Sequence, residues 1–332
     1  MNSRANAGIA SVQFTFLGTS SAVPTLRRNV TSSVLRLDGE SMVFDAGEGT
    51  QHQLMRSQTR PGRIRRILLT HMHGDHSFGL PGLVTGLCGV KKDQSREEEA
   101  RRAPGDKLRI YGPRGVREFL AAALRLSRMR IPADFFVHEL VETAEEAAAL
   151  VAGQGSGGGS PSFGYGGGGG GGGGGGPPAL HDPSEPACHT VVAPTMDGEG
   201  RKTWHLFDGP VFGLRAGALA HTVPCWGYVF QEREQAGTMD VERLMASPLG
   251  GKRLGPWLQA LKNGQTIDGV RREDVCGPPL AGRKIVVLGD TCDPSGIAHL
   301  AERCNLLVHE ATMRDAFRAK ASRECGRVCV LC

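Results

Sequence analysis

The sequence contains no run of eighteen consecutive apolar residues, which is about the length that a transmembrane helix needs. We expect no secretory leader or transit peptide, since residues 1–12 carry one arginine, no acidic residue and no long apolar stretch. Its nine cysteines are odd in number and irregular in spacing, which argues against a disulfide framework. We therefore expect reduced thiols in an intracellular protein, in the cytoplasm or the nucleus, with an organelle as the alternative.

Strong charge of one sign is also missing. The formal net charge of +5 permits an acidic partner such as RNA without requiring one. Glycine, by contrast, is abundant, with 48 residues and an unbroken run at 166–176. A segment of Gly, Ser and Pro cannot bury enough apolar surface to offset its ordering entropy. We therefore expect a flexible, low-complexity insertion at approximately 145–205, with His181 and His189 exposed to solvent.

Outside that insertion, segments typical of strands alternate with segments typical of helices, which predicts a layered α/β architecture. The predicted helices lie at 82–87 and 116–126. The predicted strands lie at 12–17, 33–37, 42–45, 66–70, 108–111, 211–214, 218–220, 227–231, 284–288 and 306–308. Several of these strands end directly before a histidine or an aspartate. We therefore expect the site to lie on loops that a rigid sheet holds in place.

The densest group of candidate ligands is His71-Met72-His73-Gly74-Asp75-His76. Three imidazoles and a carboxylate follow an apolar strand, and the glycine and the irregular spacing argue against a helix face. On a turn, His71 and His73 can point one way while Asp75 and His76 point another. Zinc accepts imidazole nitrogen and carboxylate oxygen, so this one loop can supply two adjacent metal ions.

This motif and five other segments, all in the same order, resemble the ribonuclease Z family of the metallo-β-lactamase superfamily. The segments are FLGTSSAVP at 16–24, FDAGEGTQ at 44–51, HMHGDHSFGLPGL at 71–83, HTVPCWGY at 221–228, LGDT at 288–291 and HEAT at 309–312. The resemblance covers roughly 12–125 and 211–321. It implies that residues 1–332 form a single domain with the αββα sandwich of that superfamily.

The resemblance also implies roles for individual side chains. The implied ligands are His71, His73 and His221 for a first zinc ion and Asp75 and His76 for a second, with Asp290 bridging. Asp75 would also accept the proton of the attacking water, and His309 would donate a proton to the leaving group. Asp45 is expected to orient a ligand or form a turn, and His52 to be structural.

The function that the resemblance implies is a zinc-dependent endoribonuclease that removes the 3′ trailer from precursor tRNA. Two zinc ions about 3.5–4 Å apart can activate a hydroxide near neutral pH and neutralise the charge of a phosphodiester under attack. A homodimer is implied as well, with one subunit's arm serving the other's site. Neither a membrane nor DNA is an expected partner.

Two basic segments are expected to bind the tRNA. PTLRRN at 24–29 resembles the family's Pro-x-Lys-x-Arg-Asn loop, but Leu26 stands where lysine is expected, so rejection of mature CCA ends stays open. Residues 233–279 lie where the family extends a tRNA-binding arm, in which Trp257 is expected to pack. Basic groups there would contact phosphates without reading sequence. The implied substrate-binding residues are Arg27, Arg28, Asn29, Lys252, Arg253, Gly255 and Pro256.

After residue 312 the chain departs from the family. A predicted helix at 314–322 precedes an atypical tail at 323–332, where Arg327 replaces the zinc-binding histidine of the family's Gly-His-Ser element. Arginine cannot ligate zinc, because it stays protonated. Two interpretations remain open: a truncated gene model of an active enzyme, or a polypeptide with an incomplete second zinc site and weakened activity.

Two other functions therefore stay open at the level of sequence. One is a thioester or lactone hydrolase of the same fold, which would gain nothing from the arm at 233–279. The other is a metal-poor protein that binds tRNA without cutting it.

Overall fold

The computed structural model describes residues 9–89, 107–129, 135–154, 188–235, 237–251, 256–262 and 264–312. In that part of the chain two β-sheets pack face to face, and helices cover their outer faces. This is the αββα sandwich that the family resemblance implied. None of the helices within the described ranges is long and apolar enough to cross a membrane.

The first sheet has seven strands in sequence order. They are β1 (Gln13–Gly18), β2 (Ser32–Arg36), β3 (Ser41–Phe44), β4 (Ile64–Leu68), β5 (Leu108–Pro113), β6 (Phe135–Leu140) and β7 (Cys188–Val192). The strands from β1 to β3 pair antiparallel, and those from β3 to β7 pair parallel. β4 is buried along almost its whole length, because a central parallel strand is covered on both faces.

The second sheet has six strands, and its order runs from β13 at one edge to β8 at the other. They are β8 (Thr195–Met196), β9 (Lys202–Asp208), β10 (Phe212–Leu219), β11 (Cys225–Glu232), β12 (Lys284–Val287) and β13 (Leu306–Val308). Only β12 and β13 pair parallel, and the other neighbours pair antiparallel. Strands predicted at 211–214 and 218–220 are therefore two parts of the single strand β10.

The helices in the described ranges are α1 (Thr50–Arg56), α2 (Gly74–Ser77), α3 (Leu80–Gly89), α4 (Val116–Leu126), α5 (Ala144–Gln154), α6 (Val241–Ala246), α7 (Pro256–Lys262), α8 (Arg272–Val275) and α9 (Ser295–Ala301). Helices α1, α3 and α4 pack on the first sheet, and α9 packs on the second. In α4 the buried residues Val116, Leu120 and Leu124 recur every fourth position, which makes the apolar stripe of a surface helix.

The core between the sheets is rich in aromatic side chains. Trp204 and Trp226 are almost completely buried and lie edge to face with ring centroids 5.9 Å apart. Tyr228, also fully buried, donates a hydrogen bond from its hydroxyl to the carbonyl oxygen of Leu69. This contact joins the second sheet to the first just before the histidine-rich loop.

The arm, residues 233–279, contains α6, α7 and α8 and has a small apolar core of its own. Leu244, Leu249, Leu261 and Val275 are buried in it, and Trp257 packs against them, as expected. The backbones of Gln235 and Leu280 exchange hydrogen bonds at its base. Lys252, Arg253 and Gly255 lie outside the described residues, and Pro256 begins α7.

The expected insertion at approximately 145–205 is wrong at both ends. Helix α5 occupies residues 144–154, and β7, β8 and the start of β9 lie between 188 and 205. Strands β6 and β7 are parallel neighbours, so the chain returns to the same sheet after the glycine-rich stretch. Several predictions lie outside the described residues: His181, the glycine run, the helix at 314–322, Arg327 and the tail at 323–332.

His189 is not the exposed residue that we expected. It lies in β7 with a side chain that is 13% exposed, and its Nε2 is 2.8 Å from Oε2 of Glu139. Glu139 in turn accepts hydrogen bonds from the backbone N–H groups of Gly115 and Arg117 at the start of α4. His189 therefore helps to fix a helix to the first sheet. His52, by contrast, is exposed on α1.

Candidate metal centre

Ends of strands from both sheets bring the predicted ligands together. Asp45 follows β3, the loop at 71–76 follows β4, and His221, Asp290 and His309 follow β10, β12 and β13. The two sheets meet closely here, since the backbone N–H of Trp226 donates to the carbonyl oxygen of Thr70 at 3.0 Å. A Cβ atom on Gly289 would lie only 2.6 Å from Cβ of Thr70, so the approach requires glycine.

Three imidazoles form the first set of candidate ligands. Nδ1 of His73 lies 3.1 Å from Nε2 of His71 and 3.2 Å from Nε2 of His221. A tetrahedral zinc ion with Zn–N distances of about 2.0–2.1 Å sets its ligand nitrogens about 3.4 Å apart. The three nitrogens therefore converge as the ligands of one zinc ion would. His71, His73 and His221 are the residues predicted for the first site.

A second set shares a residue with the first. His71, His76 and Asp290 offer ligand atoms that all lie within 4.8 Å of one another, and Nε2 of His76 is 3.4 Å from Oδ1 of Asp290. Imidazole and carboxylate together also suit zinc. The family resemblance implied Asp290 as a bridge but did not reveal that His71 belongs to both sets.

Asp75 lies at the edge of this centre rather than within either set of three. Its Oδ2 is 3.7 Å from Nε2 of His76 and accepts a hydrogen bond of 2.6 Å from the backbone N–H of Ala22. Ala22 has a φ of 64°, a left-handed conformation that is unfavourable in free energy for a residue with a Cβ atom. Asp75 and His76 lie in α2, a single helical turn, whereas the sequence predicted a turn without helix.

Asp45 orients two of the histidines, as the sequence predicted for a carboxylate beside the ligands. Its Oδ2 lies 2.8 Å from Nδ1 of His76, and its carboxylate accepts from Oγ1 of Thr70 at 2.9–3.0 Å. That hydroxyl lies 3.0 Å from Nδ1 of His71. The hydroxyl of Thr70 donates its one proton to Asp45, so it accepts a hydrogen bond from Nδ1 of His71. The rings of His71 and His76 therefore both keep Nε2 for the metal centre.

Thr70 is the residue at this centre that sequence reasoning missed. It is completely buried, and its backbone N–H also donates to Oδ1 of Asp45 at 2.7 Å. Its position directly before the first histidine of the motif was the available signal. No other feature of the sequence around Thr70 suggested a role for its hydroxyl.

Burial and neighbouring charges move the pKa values of the two buried histidines in opposite directions. Burial, with the nearby His76, lowers the pKa of His71 to about 2, so its ring is neutral and able to ligate a metal. Burial also lowers the pKa of His76, but the carboxylates of Asp45 and Asp290 outweigh it and raise the pKa to about 10. In the protein without metal, His76 thus carries a positive charge between two carboxylates, where a metal cation would replace its proton.

Cys225 supports the position of Asp290. Its thiol donates to the backbone carbonyl of Asp290 at 3.4 Å, and burial raises its pKa well above the ordinary value. The group is therefore a protonated thiol and not a nucleophile. Cys276 and Cys304 are thiols too, as the sequence predicted for these positions.

His309 lies in a cavity of about 690 Å³ beside the centre, lined also by Asp45, His76 and Asp290. Its Nδ1 is 3.0 Å from the carbonyl oxygen of Glu310, to which it donates. Burial lowers its pKa. Glu310 accepts a hydrogen bond from the backbone N–H of Thr291 at 2.9 Å, which ties β13 to the loop that carries Asp290.

Two of the predicted substrate-binding residues lie at the same cavity. Arg27 and Arg28 are exposed and line it, and they also line a second cavity of about 500 Å³ together with Arg56 at the end of α1. Asn29 lines only the second of these cavities, and its Nδ2 donates to the carbonyl oxygen of Glu48, which holds the loop in place. Sequence reasoning missed Arg56, which lies outside the motifs.

The chain resembles proteins of known family over most of its length. Residues 25–192 match the metallo-β-lactamase superfamily. The chain is 34% identical over 318 residues to the zinc phosphodiesterase ELAC protein 1 of Homo sapiens, which covers 94% of this chain and 78% of that protein. It is 32% identical over 310 residues to ribonuclease Z of Synechocystis sp., which covers 91% of this chain and 72% of that protein.

Solved structures give the same result. The fold is similar to that of the human tRNase Z, short form, with a TM-score of 0.57 and 29% sequence identity. The match covers 95% of this chain and 83% of that one.

Proposed function

This chain belongs to the metallo-β-lactamase superfamily and, within it, to the ribonuclease Z family, and from that premise we propose its function. It is a zinc-dependent endoribonuclease that removes the 3′ trailer from precursor tRNA. The observation that carries this proposal is a pair of adjacent ligand sets beside a cavity with two exposed arginines. Metal ligands and basic groups around one cavity suit a phosphodiester.

Zinc suits the first site because three imidazole nitrogens converge at the spacing of its ligands. We assign His71, His73 and His221 to one ion and Asp75 and His76 to a second, with Asp290 between them. When bound, the ions polarise the phosphodiester and make water available as hydroxide near neutral pH. Asp45 and Thr70 hold the rings of His71 and His76 so that Nε2 faces the centre.

Protons move through the chain's own groups in this proposal. Asp75 lies at the edge of the centre and accepts the proton of the attacking water at a carboxylate oxygen. His309 gives a proton from Nε2 to the leaving oxygen, since its Nδ1 is engaged with Glu310. The negative charge of a bound phosphate opposes the effect of burial on His309 and favours the protonated ring.

Basic residues bind the tRNA at points other than the scissile bond. Arg27 and Arg28 contact phosphates near the cavity, and Asn29 keeps their loop in position. The arm, with Lys252, Arg253, Gly255 and Pro256, contacts the folded part of the tRNA. Its separate apolar core supports this role, because a small unit of its own can extend from the sandwich. A homodimer belongs to the same proposal, and measuring the molar mass in solution tests it.

The test is cleavage of a precursor tRNA by the purified chain, together with the zinc content per chain. We expect a single cut at the 3′ side of the tRNA, close to two zinc ions per chain, and loss of the cut in Asp75→Ala. About one zinc ion with tRNA bound but uncut would support the weakened, RNA-binding alternative. Hydrolysis of thioesters or lactones without any cleavage of tRNA would support the other alternative.

A further inference from the structure

Phe78 is exposed at a point where the surrounding chain is mostly buried. Its side chain is 66% exposed, although His76 and Ser77 just before it are buried. A single exposed ring is common on protein surfaces, but this one lies beside the metal centre and shares a cavity with the exposed Val23. Phe78 belongs to the segment 71–83 that carried the family resemblance, yet the proposed chemistry gives it no role.

The ring of Phe78 is held firmly despite its exposure. It lies so close over Gly74 that a Cβ atom on that glycine would be 2.4 Å from the ring. Phe119 of α4 lies beside the ring and does not cover its outer face, since the ring centroids are 6.3 Å apart with an angle of 29° between the planes. Phe119 in turn packs against the core of the first sheet. The exposed face is therefore a flat apolar surface with little freedom to move.

A cavity of about 410 Å³ lies along this surface and reaches the metal centre. Its lining includes Phe78, the exposed Val23, and both His73 and Asp75. None of the described residues that line it is a lysine or an arginine, and Glu48 lies at its side. The cavity that contains His309 differs, since Arg27 and Arg28 line it together with the carboxylates of the metal centre.

The two cavities thus touch different ligands, His73 and Asp75 in one and His76 and Asp290 in the other, and they differ in chemistry. A phosphate at the centre has a nucleotide attached on each side. The two arginines of the cavity at His309 suit the charged backbone on one side. The cavity at Phe78 has no cation for a phosphate, but it has a rigid aromatic face for a base.

We propose that Phe78 is a stacking platform for an unpaired nucleobase next to the scissile phosphate, a role that rests on the proposed nuclease function. Stacking on a flat ring accepts any base, because every base has a π face. The platform therefore positions a flanking nucleotide without selecting its sequence. Phe119 and Gly74 are the residues that keep the platform in place.

The experiment compares Phe78→Ala, Phe78→Leu and Phe78→Tyr on precursor tRNA. Leucine keeps apolar volume but has no flat face, and tyrosine keeps the face. We expect alanine and leucine to lower kcat/KM by roughly 5- to 150-fold, the range for loss of one base–aromatic stack. Tyrosine should restore most of the activity. Leu126→Ala is the matched control, since Leu126 is 81% exposed at the far end of α4.

A second set of substrates places an abasic nucleotide at each position beside the cut. In the wild-type protein one such position should lower kcat/KM by about the same factor as Phe78→Ala, and that substrate should lose nothing further in the variant. Zinc content and melting temperature should match the wild type in all variants, so that an unfolded variant is recognised.

The proposal is overturned if every abasic position leaves the wild-type rate unchanged, or if Phe78→Ala lowers the rate on the abasic and intact substrates alike. If the wild-type protein cuts no precursor tRNA, the nuclease function fails instead. Binding of the same intact and abasic RNAs then tests the stacking role of Phe78 separately. If one abasic position lowers the affinity of the wild-type protein but not that of Phe78→Ala, the stacking role is still supported.

Discussion

The metal centre and the arm differ in how firmly they hold their functional side chains. At the centre His71 and His76 are 0% and 2% exposed, and each ring has its second nitrogen engaged by Asp45 or Thr70. In the arm the side chain of Arg271 is 64% exposed, and its ion-pair partners Glu273 and Asp274 lie in α8, directly after it. Chemistry requires atoms fixed to within a fraction of an ångström, whereas recognition of a folded RNA by its phosphates does not. The contrast predicts that substitutions at the metal centre lower catalysis and that substitutions in the arm lower tRNA binding.

The largest effect should come from the residue shared by both ligand sets. His71→Ala removes a ligand of the first site, and its ring also belongs to the second set, so we expect hydrolysis of precursor tRNA to fall by more than the ~100-fold that loss of a hydrogen-bond partner of a ligand causes. Binding of tRNA should change little, because no basic group is lost. Measuring the single-turnover rate and the Kd of uncut RNA separates the two. A His71→Ala variant that cuts at the wild-type rate would show that the assigned centre is wrong.

A smaller effect is expected at the group behind the ligands. Asp45→Asn keeps the shape but removes the charge that holds His76 and Thr70, so zinc affinity should fall about 10- to 100-fold. Glu232→Gln is the control, since Glu232 is a buried carboxylate that binds Arg283 away from the centre. It should lower the melting temperature and leave zinc affinity unchanged. Equal zinc affinity in both variants contradicts the role given to Asp45.

The arm should respond only through binding. Replacing Arg271 and Arg272 with alanine should weaken tRNA binding by up to about tenfold and reduce its salt dependence by about one unit per lost phosphate contact. Hydrolysis of a small phosphodiester should stay at the wild-type rate. If that rate falls as well, the separation between the two regions does not hold. Arg125→Ala, at the exposed end of α4, is the matched control for charge.

The smallest effects concern two left-handed backbone positions, one in each region. Ala22→Gly should raise the free energy of unfolding by under about 1 kcal/mol, because glycine accepts the φ of 64° without strain. Gly251→Ala in the arm, at a φ of 81°, should lower it by about 1 kcal/mol. Chemical denaturation measures both. A stabilising Gly251→Ala would mean that the arm rearranges more freely than its small core suggests.

Local sequence patterns predicted most of the strands that lead to the site. Helix α4 has the bounds that its apolar stripe predicted, and the strand before His71 was found from its run of aliphatic residues. The ligand residues could be proposed because the motif is dense and its family context is specific. Lone residues such as His221 and Asp290 needed that context, since a single histidine or aspartate predicts nothing.

What the sequence could not reveal depends on pairing between distant segments. Strand β7 is short and follows the glycine-rich stretch, and its partner β6 lies on the other side of that stretch. The position of His189 beside Glu139 depends on the same pairing. The contact between Ala22 and Asp75 gave no signal either, because alanine is not a residue that suggests a left-handed turn.

The origin of the ligands has a consequence for folding. His71 and His76 follow a strand of the first sheet, and His221 and Asp290 follow strands of the second. A bound ion would therefore act as a cross-link between the two halves of the sandwich and would stabilise only the state in which both halves are assembled. Neither half could open without releasing metal, so the resistance of this protein to unfolding should follow the zinc concentration around it.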